Sequence, residues 1–316
     1  MNITIPHTPF NITIDNKHID EYVEILNDIG KYYTFSHHSL LDTSNQFKHY
    51  LKLSTSYERD ITTESIIQNV DEYLSRTNHV PNIVNLYAKL FPSKQCWRLS
   101  TDENNGFVGV SKRNNKWFEE FYNIGIDACD INYMQQLVYY YYDLQKLDNK
   151  YVDIIGFICY LLYERIHPHY DGNGRMGRLL FIENTYQHSY YPLTETISKL
   201  RMPEIMQNIF DKVSFPYKLN HGDKTIPHHD SNDYYNLVVD DELLRGIVKC
   251  LGLCKEFKML SDVFRNEPRM NSIITKLLRT KINDYKIDIV INNDELLDKF
   301  NRSGFNVENH NKLIDL

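Results

Sequence analysis

Glu164-Arg165-Ile166-His167-Pro168-His169-Tyr170-Asp171-Gly172-Asn173-Gly174-Arg175-Met176-Gly177-Arg178 is the stretch of this 316-residue chain from which both fold and chemistry are read. A helical pattern ends here, Pro168 cannot continue it, and an Asp-Gly-Asn-Gly turn feeds straight into a new helix. Glycines without Cβ let backbone N–H groups converge, and a helix N-terminus adds partial positive charge. The turn is therefore an anion cradle. Arg175 and Arg178 stand three apart and project from one side of the new helix's first turn. Two such guanidinium forks match phosphate oxygens bidentately. Asp171 lies at the lip, where a carboxylate repels phosphate unless a cation bridges the two. Mg²⁺, held by one carboxylate plus phosphate oxygens and water, is the natural choice. His167 is the side chain best suited to take a proton from an attacking hydroxyl near neutral pH. The parts point to phosphoryl or nucleotidyl transfer.

Outward from this stretch the periodicity is mostly helical. Val152 to Ile166 leads into it, Ile131 to Leu147 precedes that, and Arg175 to Tyr186 follows. Towards the N-terminus, His18 to Tyr32 places Ile19, Tyr22, Val23, Leu26 and Ile29 on one helical face, with a start near Asp15 or Asn16. Further helical patterns run over Phe47 to Tyr57 and Thr63 to Arg76. Phe107 to Ser111, the polar turn Lys112 to Lys116 and Trp117 to Tyr122 read as the one β-hairpin. Between Phe215 and Asp233 two prolines and three histidines without periodicity mark a linker, and residues 234–316 return to helical patterns, notably Leu243 to Phe257 and Ser272 to Ile282.

Composition narrows the class. A net charge of −7 disfavours a protein built to coat nucleic acid. No apolar run approaches the roughly 20 residues of a membrane span, and the start MNITIPHTPF lacks the basic and apolar regions of a secretory signal. Five scattered cysteines fit reduced thiols. The expectation is a cytoplasmic protein that binds neither nucleic acid nor membrane. Only two alanines against 24 tyrosines leave helix propensity a poor guide, so periodicity carries the assignments.

The central stretch resembles the signature of Fic-domain proteins, His-Pro-Phe-x-Asp/Glu-Gly-Asn-Gly-Arg-x-x-Arg. Every defined position matches except that His169 stands where the family has Phe. The resemblance covers roughly residues 47–215 and implies a mostly α protein. Its expected layout is a Fic-fold helical bundle with a β-hairpin flap, plus N- and C-terminal helical extensions. The corresponding domains are 1–96, 97–213 for the catalytic core, and 214–316. It implies a protein adenylyltransferase that moves AMP from ATP to a Ser, Thr or Tyr hydroxyl of a protein substrate and of itself. His167 would be the general base and Asp171 the Mg²⁺ ligand. Gly172, Asn173 and Gly174 would form the anion hole, with the Asn173 side chain on the α-phosphate. Arg175 would bind the β-phosphate region and Arg178 orient the γ-phosphate. At His169 the expectation is a half-buried imidazole hydrogen-bonded to backbone.

Family members also carry an inhibitory helix with the pattern Ser/Thr-x-x-x-Glu-Gly/Asn, which Ser54 to Glu58 resembles, with Arg59 in place of the small residue and Thr62-Thr63 trailing. The resemblance implies that Glu58 pairs with Arg178 and blocks the productive pose of ATP. The hairpin resembles the family's flap, with Phe107, Val108, Gly109 and Val110 as the segment that holds the target by strand pairing. Three rivals stand beside this reading: removal of AMP with Glu58 orienting water, transfer of another nucleotide or of phosphocholine, and a catalytically idle scaffold that binds nucleotide or a partner. Residues 234–316 are expected to serve dimerisation, as a homodimer, or target docking. His221, His228, His229 and Asp230 lack a ligand spacing and read as a solvated loop. Cys250 and Cys254, four apart, read as one buried helix face.

Overall fold

A computed structural model describes residues 1–4, 11–14, 17–29, 31, 68–69, 72, 83–97, 109–111, 121–123, 136, 150–166, 168–177, 218–219, 236–264, 266–267 and 269–316. The chain is mostly helical and divides into two units. The first gathers residues 1–15, 62–177 and 210–239, and the second residues 16–61, 178–209 and 240–316.

The first unit holds two three-stranded sheets. Strands β1 (Asn2–Thr4) and β2 (Asn11–Ile14) pair antiparallel, and β2 pairs in parallel with β6 (Asn236–Val239). Alternation sets their faces: Ile3, Ile12, Ile14 and Val239 are buried while Val238 is exposed. The second sheet runs in the order β3 (Gly109–Ser111), β4 (Phe121–Asn123), β5 (Lys218–Leu219), all antiparallel. The antiparallel strand pair expected within Phe107 to Tyr122 is thus present, but Ser111 lies opposite Phe121, so the expected turn Lys112 to Lys116 does not set its register.

Three expectations are corrected. The chain has more strands than one hairpin, because runs as short as Asn-Ile-Thr give periodicity too little length to register. The stretch from Phe215 to Asp233 contains β5, so it is more than a linker, and residues 234–316 open with β6 before their helices begin. The first helix starts at Ile19, after a His18 cap that makes no side-chain cap hydrogen bond, rather than near Asp15 or Asn16.

Two helices of the first unit frame the decisive stretch. Helix α2 (Ile83–Leu90) buries Ile83, Leu86, Tyr87 and Leu90 along one face. Helix α3 (Val152–Ile166) is buried almost all round, from Ile154 through Tyr163, as a central core helix must be. A helical turn over residues 173–177 follows, opened by the Met176 N–H bond to the Gly172 carbonyl at 2.9 Å.

The second unit is built on the 23-residue helix α4 (Asp241–Val263), capped by the Asp240 carboxylate accepting from the Leu243 N–H. Against it pack α1 (Ile19–Asp28), α5 (Met270–Leu277), α7 (Asp294–Asn301) and α8 (Val307–Asp315), while α6 (Asp284–Val290) packs on α5. Gly252 permits the close approach of α8, since a Cβ there would stand 2.6 Å from a Leu313 methyl. Cys250 and Cys254 are buried on α4, as their spacing predicts. Among the described residues, no helix is long and apolar enough to cross a membrane.

Candidate active site

The loop after α3 is fixed from below by the end of α2 and the turn that follows it. Gly172 has φ +83°, a left-handed conformation, and an added Cβ would lie 2.3 Å from the Phe91 ring. Phe91 is therefore the floor of the turn. Its ring also carries the Arg175 guanidinium at 4.4 Å and contacts the Tyr87 ring at 4.7 Å. The Tyr87 hydroxyl donates to the Asp171 carbonyl at 3.0 Å. Burial, reinforced by the Asp171 carboxylate, pushes the Tyr87 phenol up to about 12, so it stays a donor.

His169 is fully buried rather than half-buried. Its ring stacks on Tyr87 at 4.3 Å and on Trp97 at 5.4 Å. Nδ1 donates to the Cys96 carbonyl, which can only accept, and this leaves Nε2 to accept from the Tyr163 hydroxyl, both at 2.5 Å. The expected backbone hydrogen bond is present. Burial is complete because both ring nitrogens are satisfied, which removes the cost of placing a polar ring where the family has Phe.

Asn173 closes the loop. Its Oδ1 accepts from the His169 N–H at 2.8 Å and its Nδ2 donates to the His169 carbonyl at 2.7 Å. Both ends of the amide are thus engaged inside the loop, and the side chain shapes the cradle through the backbone it holds.

Asp171 presents its carboxylate half-exposed at the head of the 173–177 turn. The Arg175 Nη2 lies 3.2 Å from Oδ1, and the Lys94 ammonium bonds to Oδ2. Partial burial works against the charge, but the Lys94 hydrogen bond, the charges of Arg175 and Lys94, and the Gly172 N–H outweigh it and hold the carboxyl below its ordinary value. An ionised, accessible carboxylate among cations fits Mg²⁺, which is commonly held by one or two carboxylates and completed by phosphate oxygens and water. The same cations fit a polyphosphate.

The structure brings Asp171, Gly172, Asn173, Gly174 and Arg175 together in one loop and turn. Gly109 and Val110 lie in β3. His167, Arg178, Glu58, Ser54, Phe107 and Val108 lie outside the described residues. Sequence reasoning did not single out Tyr87, Phe91, Lys94, Cys96, Trp97 or Tyr163, all of which brace or charge the site. One signal was available for part of this set. A His in place of Phe needs two polar partners if buried, and Tyr163 stands six residues upstream on the preceding helix.

The Fic/DOC family model matches residues 121–183, from β4 through α3 and the loop. No curated protein matches the chain.

Proposed function

We propose that this Fic-domain protein is a protein adenylyltransferase that carries AMP from ATP to a Ser, Thr or Tyr hydroxyl of a protein substrate and of itself. The reading is supported above all by Asp171, ionised between Lys94 and Arg175 at the head of a helical turn whose glycine lies on Phe91. Arg175 and Arg178 bind the phosphates, and the 172–174 backbone cradles them. Asp171 would hold Mg²⁺, which would supply charge neutralisation for the phosphates. His167 takes the proton of the target hydroxyl, whose oxygen bonds to the α-phosphorus. The bond from that phosphorus to the bridging oxygen breaks and pyrophosphate leaves. Catalysis comes from in-line positioning and charge complementarity, with the His167 base contributing about 10²–10⁴-fold.

Strand β3 stands at an edge of its sheet among the described strands, which suits Gly109 and Val110 to pairing with a target segment. Glu58, from the inhibitory segment, restrains the enzyme by pairing with Arg178.

Intact-mass measurement after incubation with Mg²⁺ and ATP tests the proposal on wild type, Glu58→Gly and His167→Ala. The expected result is an AMP adduct on wild type that is at least about tenfold stronger in Glu58→Gly, and in His167→Ala a loss of about 10²-fold or more. An unchanged Glu58→Gly protein refutes autoinhibition. A Glu58→Gly protein labelled only by a different nucleotide changes the donor, and one labelled by none is a scaffold. If Glu58→Gly instead loses the power to strip AMP from a modified target, the enzyme runs in the opposite direction.

A further inference from the structure

Asp171 carries a cation on each carboxylate oxygen, and the two cations are differently held. Arg175 is four residues along the same turn, buried to 7% exposure and laid over the Phe91 ring. Lys94 comes from the turn after α2, 77 residues upstream. Its side chain is 50% exposed, and its ammonium lies 5.6 Å from the Phe91 centroid. An exposed ion pair is weak, shifting an equilibrium by about fivefold at most. Arg175 is thus a fixed partner and Lys94 an exchangeable one.

That asymmetry matters for anything else that binds Asp171. A divalent cation can use Oδ2 only by displacing the ammonium. The displaced group remains tethered to a flexible four-carbon stem beside Phe91, within reach of oxygens gathered around the same carboxylate. Phosphate oxygens sharing the cation with Asp171 are such acceptors.

We propose that Lys94 is a displaceable counter-ion of Asp171 that passes to a phosphate oxygen of the nucleotide when a divalent cation takes the carboxylate. This makes it a phosphate-binding residue contributed from outside the motif. The assignment rests on the nucleotide-binding reading above.

The full chain would be compared as wild type, Lys94→Met and Lys94→Arg, in two binding measurements that involve no turnover. One is Mn²⁺ binding alone, by electron paramagnetic resonance of the free ion. The other is calorimetric binding of α,β-methylene-ATP with Mg²⁺. Lys94→Met is expected to bind Mn²⁺ about fivefold more tightly and the nucleotide about fivefold more weakly, with Lys94→Arg close to wild type in both. The opposite signs are the signature, since a loosened loop would weaken both. Loss of both affinities, a change in only one, or no change overturns the assignment. If α,β-methylene-ATP binds wild type and Lys94→Met equally, only the role of Lys94 falls. If wild type binds none, the nucleotide reading falls and takes Lys94 with it.

Discussion

Gly172 is the residue whose neighbours tolerate least. Its φ of +83° costs an L side chain about 1–2 kcal/mol, and the Phe91 ring 2.3 Å from an added Cβ brings an overpacking cost of about 1–3 kcal/mol. Gly172→Ala is expected to destabilise the full chain by about 3 kcal/mol. Urea unfolding followed by tryptophan fluorescence checks this, because Trp97 stacks on His169 in the same loop. A loss below about 0.5 kcal/mol, the scale of a neutral surface change, would mean that the ring moves freely. At this scale the motif was legible because its residue types stand at fixed spacing on a single turn. Phe91 was not, since an aromatic residue just past a helix end looks the same whether it floors a site or fills a core. Lys94 had no marker either, because its partner lies 77 residues away.

Helices were legible where they were long. Val152–Ile166 has the bounds its periodicity gives, and Leu243 to Phe257 falls within α4. What periodicity could not show is the polar contact joining α4 to α8. His310 Nδ1 meets Glu256 Oε2 at 2.7 Å and its Nε2 donates to the Thr280 carbonyl at 3.1 Å, with both side chains buried. Burial opposes the charged imidazole, but the Glu256 hydrogen bond and charge outweigh it and raise His310. Burial also raises Glu256, and His310 offsets that only in part. With both values raised, the native pair keeps a proton that the unfolded chain releases. The histidine's share of that stabilisation is complete below its unfolded value of about 6.5 and is lost as pH rises through the folded one. Thermal unfolding of the full chain should therefore show a midpoint that falls as pH rises above about 6.5. The Glu256→Gln/His310→Gln double variant should flatten that slope. Equal slopes would mean that the pair does not titrate in this range. Asparagines cap the three short helices that follow α5: Asn283, Asn293 and Asn306 each accept from the N–H three residues on.

Neither unit of the molecule is a continuous segment of chain. The boundary expected between residues 96 and 97 falls between Cys96, whose carbonyl holds the His169 ring, and Trp97, which stacks on it. A fragment of residues 97–213 would lack Tyr87, Phe91 and Lys94, along with β1, β2 and β6. We expect that fragment to show no cooperative thermal transition by circular dichroism, whereas the full chain does. A fragment that melts as sharply as the whole would show that the loop needs no support from α2.

The parallel pairing of β2 with β6 sets an order on the birth of the protein. Residues 11–14 gain their second partner only with residues 236–239, so some 220 further residues must leave the ribosome before the first sheet can close. At typical rates of synthesis that is a wait of roughly 10–45 s. Until then the β1–β2 hairpin is a two-stranded ribbon, marginal by itself in water, with Ile12 and Ile14 still seeking cover. The β1–β2 pair accordingly keeps its apolar face open to water through that interval.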